Sequence, residues 1–333
     1  MDALPIKEMI EWEYKSTKKA MLNGKEVDVS HACGHDAHTS IALTTAKVLA
    51  ENKNLLKGTV VFVFQPNEEG TIHETLLGSG AAQMIKDGLY NAIPKPDVVF
   101  GLHVWHSQKG QIRLEKGYVF SNADFFTIKL TGTQSHGAAP WNGKDPIVTA
   151  SEIIAAFQTI ISREIDLTKG GAVITVGSIH AGNRPNIIPQ DLEMQGTIRC
   201  FDKENRNLIY ESFKKKVQSI SEMNGVKSEV KIEHLTPAVY NHPEITDFAR
   251  QSLTQRLGKD FVQQWTPLFA ADDCAYFLER TQGLYFFLGI APDDNIHQPA
   301  IIHSPHFFIN ESALIFGVKT FCSLTFDFMY SKK

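Results

Sequence analysis

Hydrophobic positions along this chain follow three spacings, and each predicts a kind of element. From Thr39 to Glu51, Ile41, Leu43, Val48 and Leu49 recur at helical intervals, and Asp36 suits the N-cap. Gly58–Gln65, Gly-Thr-Val-Val-Phe-Val-Phe-Gln, is a continuous apolar run, which predicts a central strand buried on both faces. Pro96–Trp105 and Leu284–Ile290 repeat that character. Strand, helix, strand at this spacing predicts a right-handed crossover and a mainly parallel sheet. Between these runs, Ala81–Gly88 reads as a helix closed by Gly88. Lys15–Lys25 reads as a polar basic connection and Glu26–Ser30 as a short strand. Met1–Ile6 has the character of the exit from a buried strand.

From Phe120 the rhythm changes. Ala123–Thr131 alternates like a half-buried antiparallel strand. Gln134–Pro140 is a Gly/Pro-rich loop. Asp145-Pro146 is an N-cap followed by proline, opening a helix through Arg163. Ala172–Ala181, Leu192–Phe201 and Val226–His234 read as strands. Lys203–Asn224 reads as an amphipathic helix with Leu208, Ile209, Phe213, Val217 and Ile220 on its apolar side. Strand, helix, two strands, helix, strand is a ferredoxin-like α+β order. Helices then follow at Pro243–Leu257 and Asp272–Glu279, and Asn310 caps a closing helix built on Leu314, Ile315, Val318, Phe321, Cys322 and Phe328. The expected fold class is α/β. A mainly parallel-sheet domain with helices on both faces spans 1–121 and 234–333, and a ferredoxin-like domain is inserted at 122–233.

Composition narrows the function classes. At 333 residues the chain is long for one core, which agrees with two domains. A net charge of −4 without a basic block gives no electrostatic footprint for nucleic acid. No apolar run reaches the length of a bilayer span, so no membrane partner is expected. Met1–Ser16 carries Asp2, Glu8, Glu11 and Glu13, unlike a signal peptide. Cysteines at 33, 200, 274 and 322 show no paired spacing, which points to reduced thiols and the cytoplasm.

The chemistry concentrates in His31–Ser40, His-Ala-Cys-Gly-His-Asp-Ala-His-Thr-Ser, where three imidazoles, a thiol and a carboxylate fall within His31–His38. Cys33 and His35 are two apart, so on an extended segment they project to one side and can grip one metal ion. Cys33 as a nucleophile is the alternative, but a dyad does not need further histidines so close. At strand ends, where function lies in open α/β sheets, come Glu68-Glu69 and then His103. The carboxylates of Glu68 and Glu69 point in different directions, so one can bind metal while the other works as acid or base. An acidic pair in a solvated loop is the bland alternative. His303 lies at a turn in Ile301–His306.

Eight motifs then resemble one family in its order. They are Asp2-Ala-Leu-Pro5, His31–His38, Phe64–Gly70, Gly101-Leu-His-Val104, Ser135–Pro140, Asn186-Ile-Ile-Pro189, Gly196-Thr-Ile-Arg199 and His303–Phe307. The chain resembles the amidohydrolase branch of the co-catalytic metallopeptidases, which holds hippurate hydrolases, N-acyl-amino-acid deacylases and auxin-conjugate hydrolases. The resemblance implies a catalytic domain split by a lid that dimerises. It implies Cys33, His35, Glu69, His103 and His303 as metal ligands, Glu68 as general base, and His136, Asn186 and Arg199 as lid residues that meet the substrate. It also implies further elements ahead of Asp2-Ala-Leu-Pro5, about two supersecondary units or roughly 60 residues, so the chain reads as N-terminally truncated. Thr71–Leu77 lengthens a loop relative to the family, and Ala271–Cys274 departs from its Glu-Asp-Phe.

Five ligands exceed one ordinary catalytic site and suit two divalent ions if one ligand, the Cys33 thiolate or a water, bridges. Zinc or manganese fits the donors, with cobalt or nickel as substitutes. Glu68 would move a proton from the attacking water to the leaving nitrogen. His136 would donate to the oxyanion, and Asn186 and Arg199 would hold a free α-carboxylate. His31, His38 and His306 read as supporting or packing residues. The expected activity is hydrolysis of N-acyl-L-amino acids by a homodimer joined through the lid. A dipeptidase or carboxypeptidase, or an inactive truncated metal-binding dimer, are the alternatives.

Overall fold

A computed structural model describes residues 1–70, 79–291 and 302–331. The expectation for Thr71–Leu77 falls outside the described residues, as does Ile301 at the start of the His303 turn. In chain order the elements are β1 (Lys19–Leu22), β2 (Lys25–Asp28), α1 (His35–Glu51), α2 (Gly80–Lys86), α3 (Leu89–Ala92), β3 (Val99–Trp105), β4 (Ile112–Leu114) and β5 (Gly117–Phe120). Next come β6 (Ala123–Thr131), β7 (Ser135–His136), α4 (Pro146–Thr159), β8 (Ala172–Ala181), β9 (Ile187–Ile188), β10 (Asp191–Cys200), α5 (Lys203–Met223) and β11 (Lys227–Thr236). The chain closes with β12 (Val239–Asn241), α6 (Pro243–Leu257), β13 (Val262–Gln264), α7 (Ala275–Leu278), β14 (Gly283–Gly289) and α8 (Leu314–Ser331). They form two compact units. One holds Met1–Val119, Tyr240–Pro267 and Asp273–Lys333; the other holds Phe120–Val239 and Leu268–Asp272.

In the first unit β13, β4, β14 and β3 make one sheet in that order. β14 runs parallel to β3, with Phe287 opposite His103, and β13 runs parallel to β4; only the β14–β4 ladder is antiparallel. Every residue of β14 is buried, as its unbroken apolar sequence requires. Ile41 of α1, Val104 of β3, Phe286 and Leu288 of β14, and Val318 and Leu324 of α8 share its core. Fully burying one such side chain contributes about 1.5–3 kcal/mol.

Four local expectations change. α1 begins at His35 rather than Thr39, with Gly34 at its N-cap and Asp36 inside the first turn, and Leu43 lies on its exposed face. Lys19–Asp28 is a β1–β2 hairpin rather than a connection followed by a lone strand. Asn23 and Gly24 supply its two positive φ angles, 50° and 75°. Gly58–Gln65 carries no ladder, and Val61 and Phe64 are 42% and 44% exposed. A continuous apolar run becomes a buried strand only where neighbours pair with it, and among the described residues none does. Finally, Glu311–Ser331 is long and apolar enough, by length and composition, to cross a membrane, contrary to the sequence expectation. In this fold α8 packs against α1 and α6. Its Asp327 accepts hydrogen bonds from Ser252 Oγ (2.6 Å) and Arg256 Nη2 (2.5 Å).

The second unit has the ferredoxin-like chain order, and its sheet runs β11-β6-β10-β8 with every ladder antiparallel. The alternation of Ala123–Thr131 sends Phe126, Ile128 and Leu130 into one core with Phe157 of α4 and Phe213 of α5. The Phe157 and Phe213 rings stack with centroids 4.2 Å apart. Asp145 caps α4 by accepting from Ile147 N–H (2.8 Å) and Val148 N–H (3.3 Å), and Asp202 caps α5 through Asn205 N–H (2.9 Å). Asp124, fully buried, is paired with Arg206 and Tyr210. The short return Leu268–Asp272 belongs to this unit although nothing in its sequence marked it.

Candidate metal centre

The His31–His38 segment is a tight turn entering a helix, and this corrects the reason for which Cys33 and His35 converge. Gly34 N–H closes the turn on His31 O (3.1 Å), and His35 is already helical. Gly34 has φ 84°, and a Cβ there would lie 2.4 Å from Val104 Cγ2. Glycine is therefore required between the two side chains, which meet through the turn rather than by alternation on a strand.

β3 delivers His103, buried, to the same place. Its Nδ1 contacts Val104 O at 2.6 Å. A carbonyl only accepts, so Nδ1 donates in that contact, and Nε2 lies 3.5 Å from Cys33 Sγ. His38 Nε2 accepts from Val104 N–H (2.9 Å). Burial, and then the nearby His103 and His35, hold its pKa well below the ordinary histidine value, so it serves as a neutral acceptor. The Val104 residue beside His103 is thus fixed at both its N–H and its C=O.

The loop 65–70 brings the two glutamates. Glu68 Oε2 lies 3.6 Å from His35 Nε2, and Glu69 Oε1 lies 3.0 Å from His303 Nε2. Burial raises the Glu69 pKa, but hydrogen bonds and charge from His303, with His35 and Cys33, outweigh it, and the net shift is downward. The hydrogen bond to Glu69 raises the His303 pKa against the opposing effect of burial. His303 is tied to the His31–His38 turn through its N–H to Ala32 O (2.7 Å) and sits at φ 64°. Asn67, beside Glu68, sits at φ 53°. Two non-glycine residues in the left-handed region at one site mark backbone held by its surroundings.

Two carboxylates without a role in the sequence reading do part of that holding. Asp2 Oδ1 and Oδ2 accept from Asn67 N–H (2.8 Å) and Glu69 N–H (3.0 Å). Asp273 accepts from Gln65 Nε2 (3.3 Å) and Ala81 N–H (2.7 Å). Gly80 lets the loop close, since a Cβ there would fall 1.4 Å from Pro66 O. Asp2 stood in a motif; backbone acceptance left no trace in composition or spacing.

Ligand atoms of Cys33, His35 and His103 lie within 4.8 Å of one another, as do those of Cys33, Glu69 and His303, and those of His35, Glu68 and Glu69. All five expected metal ligands and the expected base are therefore gathered. Thiolate, imidazole and carboxylate in overlapping triads fit divalent metal ions, which would replace the protons now shared between these groups. The other expected site residues lie in the second unit. β7 pairs with β9 so that His136 faces Ile187, and Gly137 N–H donates to Asn186 O (2.8 Å), which brings His136 and Asn186 together. Arg199 stands on β10 and donates to Asn122 O (3.5 Å). Among the described residues no hydrogen bond joins it to the other two.

Known proteins share this arrangement of chain. A carboxypeptidase of Saccharolobus solfataricus, thermostable carboxypeptidase 2, is 36% identical over 332 residues, covering 98% of this chain and 79% of that one. The N-acetyl-L-cysteine deacetylase of Bacillus subtilis is 36% identical over 316 residues, 95% of this chain and 70% of its own. The crystal structure of Bacillus subtilis YxeP, described as a dinuclear metal-binding peptidase, matches with a TM-score of 0.78 and 28% identity, covering 99% of this chain and 79% of that one. The model of peptidase family M20/M25/M40 matches residues 1–327. With its candidate ligands gathered on one unit and this match along nearly its whole length, the chain is a hydrolase that belongs to peptidase family M20/M25/M40.

Proposed function

We propose that this hydrolase cleaves the amide bond of N-acyl-L-amino acids or related amino-acid conjugates, releasing a carboxylic acid and a free amino acid. The observation that carries the reading is that two donor triads share Cys33 and flank Glu68. Cys33, His35 and His103 would hold one divalent ion, and Cys33, Glu69 and His303 a second, with zinc or manganese favoured by the donors. Such ions, when bound, polarise a carbonyl and make water a stronger acid. Glu68, 3.6 Å from His35 and free of a ligand's duty in this scheme, takes a proton from the attacking water and returns it to the leaving nitrogen. His136 donates to the oxyanion, and Asn186 and Arg199 bind the free carboxylate of the amino-acid half, with Arg199 as a planar fork. The working form in this reading is a cytoplasmic homodimer joined through the Phe120–Val239 unit.

The likeness to a carboxypeptidase supports a second reading, cleavage of a dipeptide or C-terminal peptide bond. A panel of acetyl- and benzoyl-amino acids against dipeptides separates the two. Chelation should abolish turnover and divalent metal restore it. Faster turnover of dipeptides selects the second reading, and no turnover of any substrate by fully loaded protein overturns both. Sedimentation of the native protein as a monomer would refute the dimer.

A further inference from the structure

We infer that Asp2 sets the position of Glu68 and Glu69 by holding the backbone on either side of Glu68, as a positioning residue for the reaction proposed above, on which this inference rests. The two N–H groups that its carboxylate accepts belong to Asn67 and Glu69, so the two hydrogen bonds bracket Glu68. Between them the chain passes through the left-handed conformation of Asn67. Such backbone persists only where neighbouring contacts over-determine it. Asp2 also reaches the other half of the centre. Its carbonyl accepts from His31 Nδ1 (2.6 Å), and Leu4, two residues on, exchanges both backbone hydrogen bonds with Ser30 (2.9 and 3.1 Å). One residue therefore ties the turn bearing Cys33 and His35 to the loop bearing Glu68 and Glu69, the loop lying more than sixty positions beyond Asp2.

The chemistry of the acceptor matters. Two convergent N–H donors need two acceptor oxygens, and an ionised carboxylate is the side chain that supplies both without presenting a donor. Asn at this position keeps the shape but turns an NH2 group toward one N–H. Asp2 acts on Glu68 and Glu69 through their own main chain, so its loss should displace the glutamates without removing either.

The test compares Asp2→Asn and Asp2→Ala with the parent in the full chain. Activity on an acetyl-amino acid, visible absorption of the cobalt-loaded protein, and amide exchange of Asn67 and Glu69 in metal-free protein are the readouts. The expected result is a loss of ~10–100-fold in kcat, the range seen when a ligand's supporting partner is removed. KM should stay within about twofold, since binding is not the function removed. The cobalt spectrum should change, and both amides should exchange faster. A variant with the parent's kcat and cobalt spectrum overturns the inference, and so does a lower Tm with kcat and spectrum unchanged, which is a merely structural role. If Asp2→Ala does not fold, Asp2→Asn decides. If the parent itself hydrolyses no acyl-amino acid, the proposed function fails, while the spectrum and the amide exchange still decide whether Asp2 fixes the loop.

Discussion

The two units are held together by different means. In the Phe120–Val239 unit four strands form continuous antiparallel ladders over one apolar core, and both long helices are capped by aspartates. In the unit that gathers the candidate ligands, most ladders are short, and turns and loops carry most of those residues: Cys33 in a turn, Glu68 and Glu69 in a loop, His303 at a residue of positive φ. There carboxylates and a neutral histidine grip backbone N–H groups and do the fixing that strand pairing does in the other unit. Regular structure gives rigidity cheaply but presents side chains in fixed directions. Several donors aimed at one volume, as in the proposed centre, need irregular backbone, and irregular backbone holds them only with local anchors.

That contrast yields outcomes of decreasing size. Glu68→Gln should lower kcat by ~10²–10⁴-fold, the usual worth of a positioned general base, while metal content and Tm remain at parental values. Retained turnover would remove Glu68 from its assigned task. Phe213→Ala should cost about 3–5 kcal/mol of stability, since it empties the centre of the ferredoxin-like core. Faster exchange of β6 and β10 amides, with β14 amides unaffected, would show the two units to be energetically separate; equal loosening of both would break the contrast. Asp145→Ala should cost ~1 kcal/mol, the usual value of an N-cap, read in urea unfolding. The smallest effect is at Asp327, whose pKa is lowered by Arg256 and then by Ser252, against burial. A carboxyl with a depressed folded pKa contributes its stability above the unfolded value, about 3.9, and loses it as pH falls through the folded one. Stability should therefore lose a small increment below about pH 4 that Asp327→Asn lacks, a few tenths of a kcal/mol for a pair this exposed, read as ΔG in urea unfolding against pH.

Much of the second unit was legible because its signals are local. Alternation over Ala123–Thr131, the Asp145-Pro146 start and the 3.6-residue period of Lys203–Asn224 each specify an element from neighbouring residues alone, and all three appear with nearly those limits. Gly58–Gln65 misled because burial of an apolar run depends on strands elsewhere in the chain. Asp36 misled because Gly34, in a conformation open to glycine, could start the helix earlier. Within the candidate centre, residue types pointed to Cys33, His35, Glu68, Glu69, His103 and His303, whereas the backbone amides that Asp2, Asp273 and His38 accept from left no mark in the sequence, although Asp2 and His38 stand in motifs.

By itself the sequence determined the mixed α/β class and the family, since motifs and short-range periodicity are properties of consecutive residues. Only the tertiary structure decided that Cys33 stands in two donor triads at once, which backbone groups meet the rings of His38 and His103, and that Asp2 clasps a loop more than sixty residues away. These depend on distances and directions between segments far apart in the chain, and such quantities exist only after the polar groups of one segment have found their partners in another.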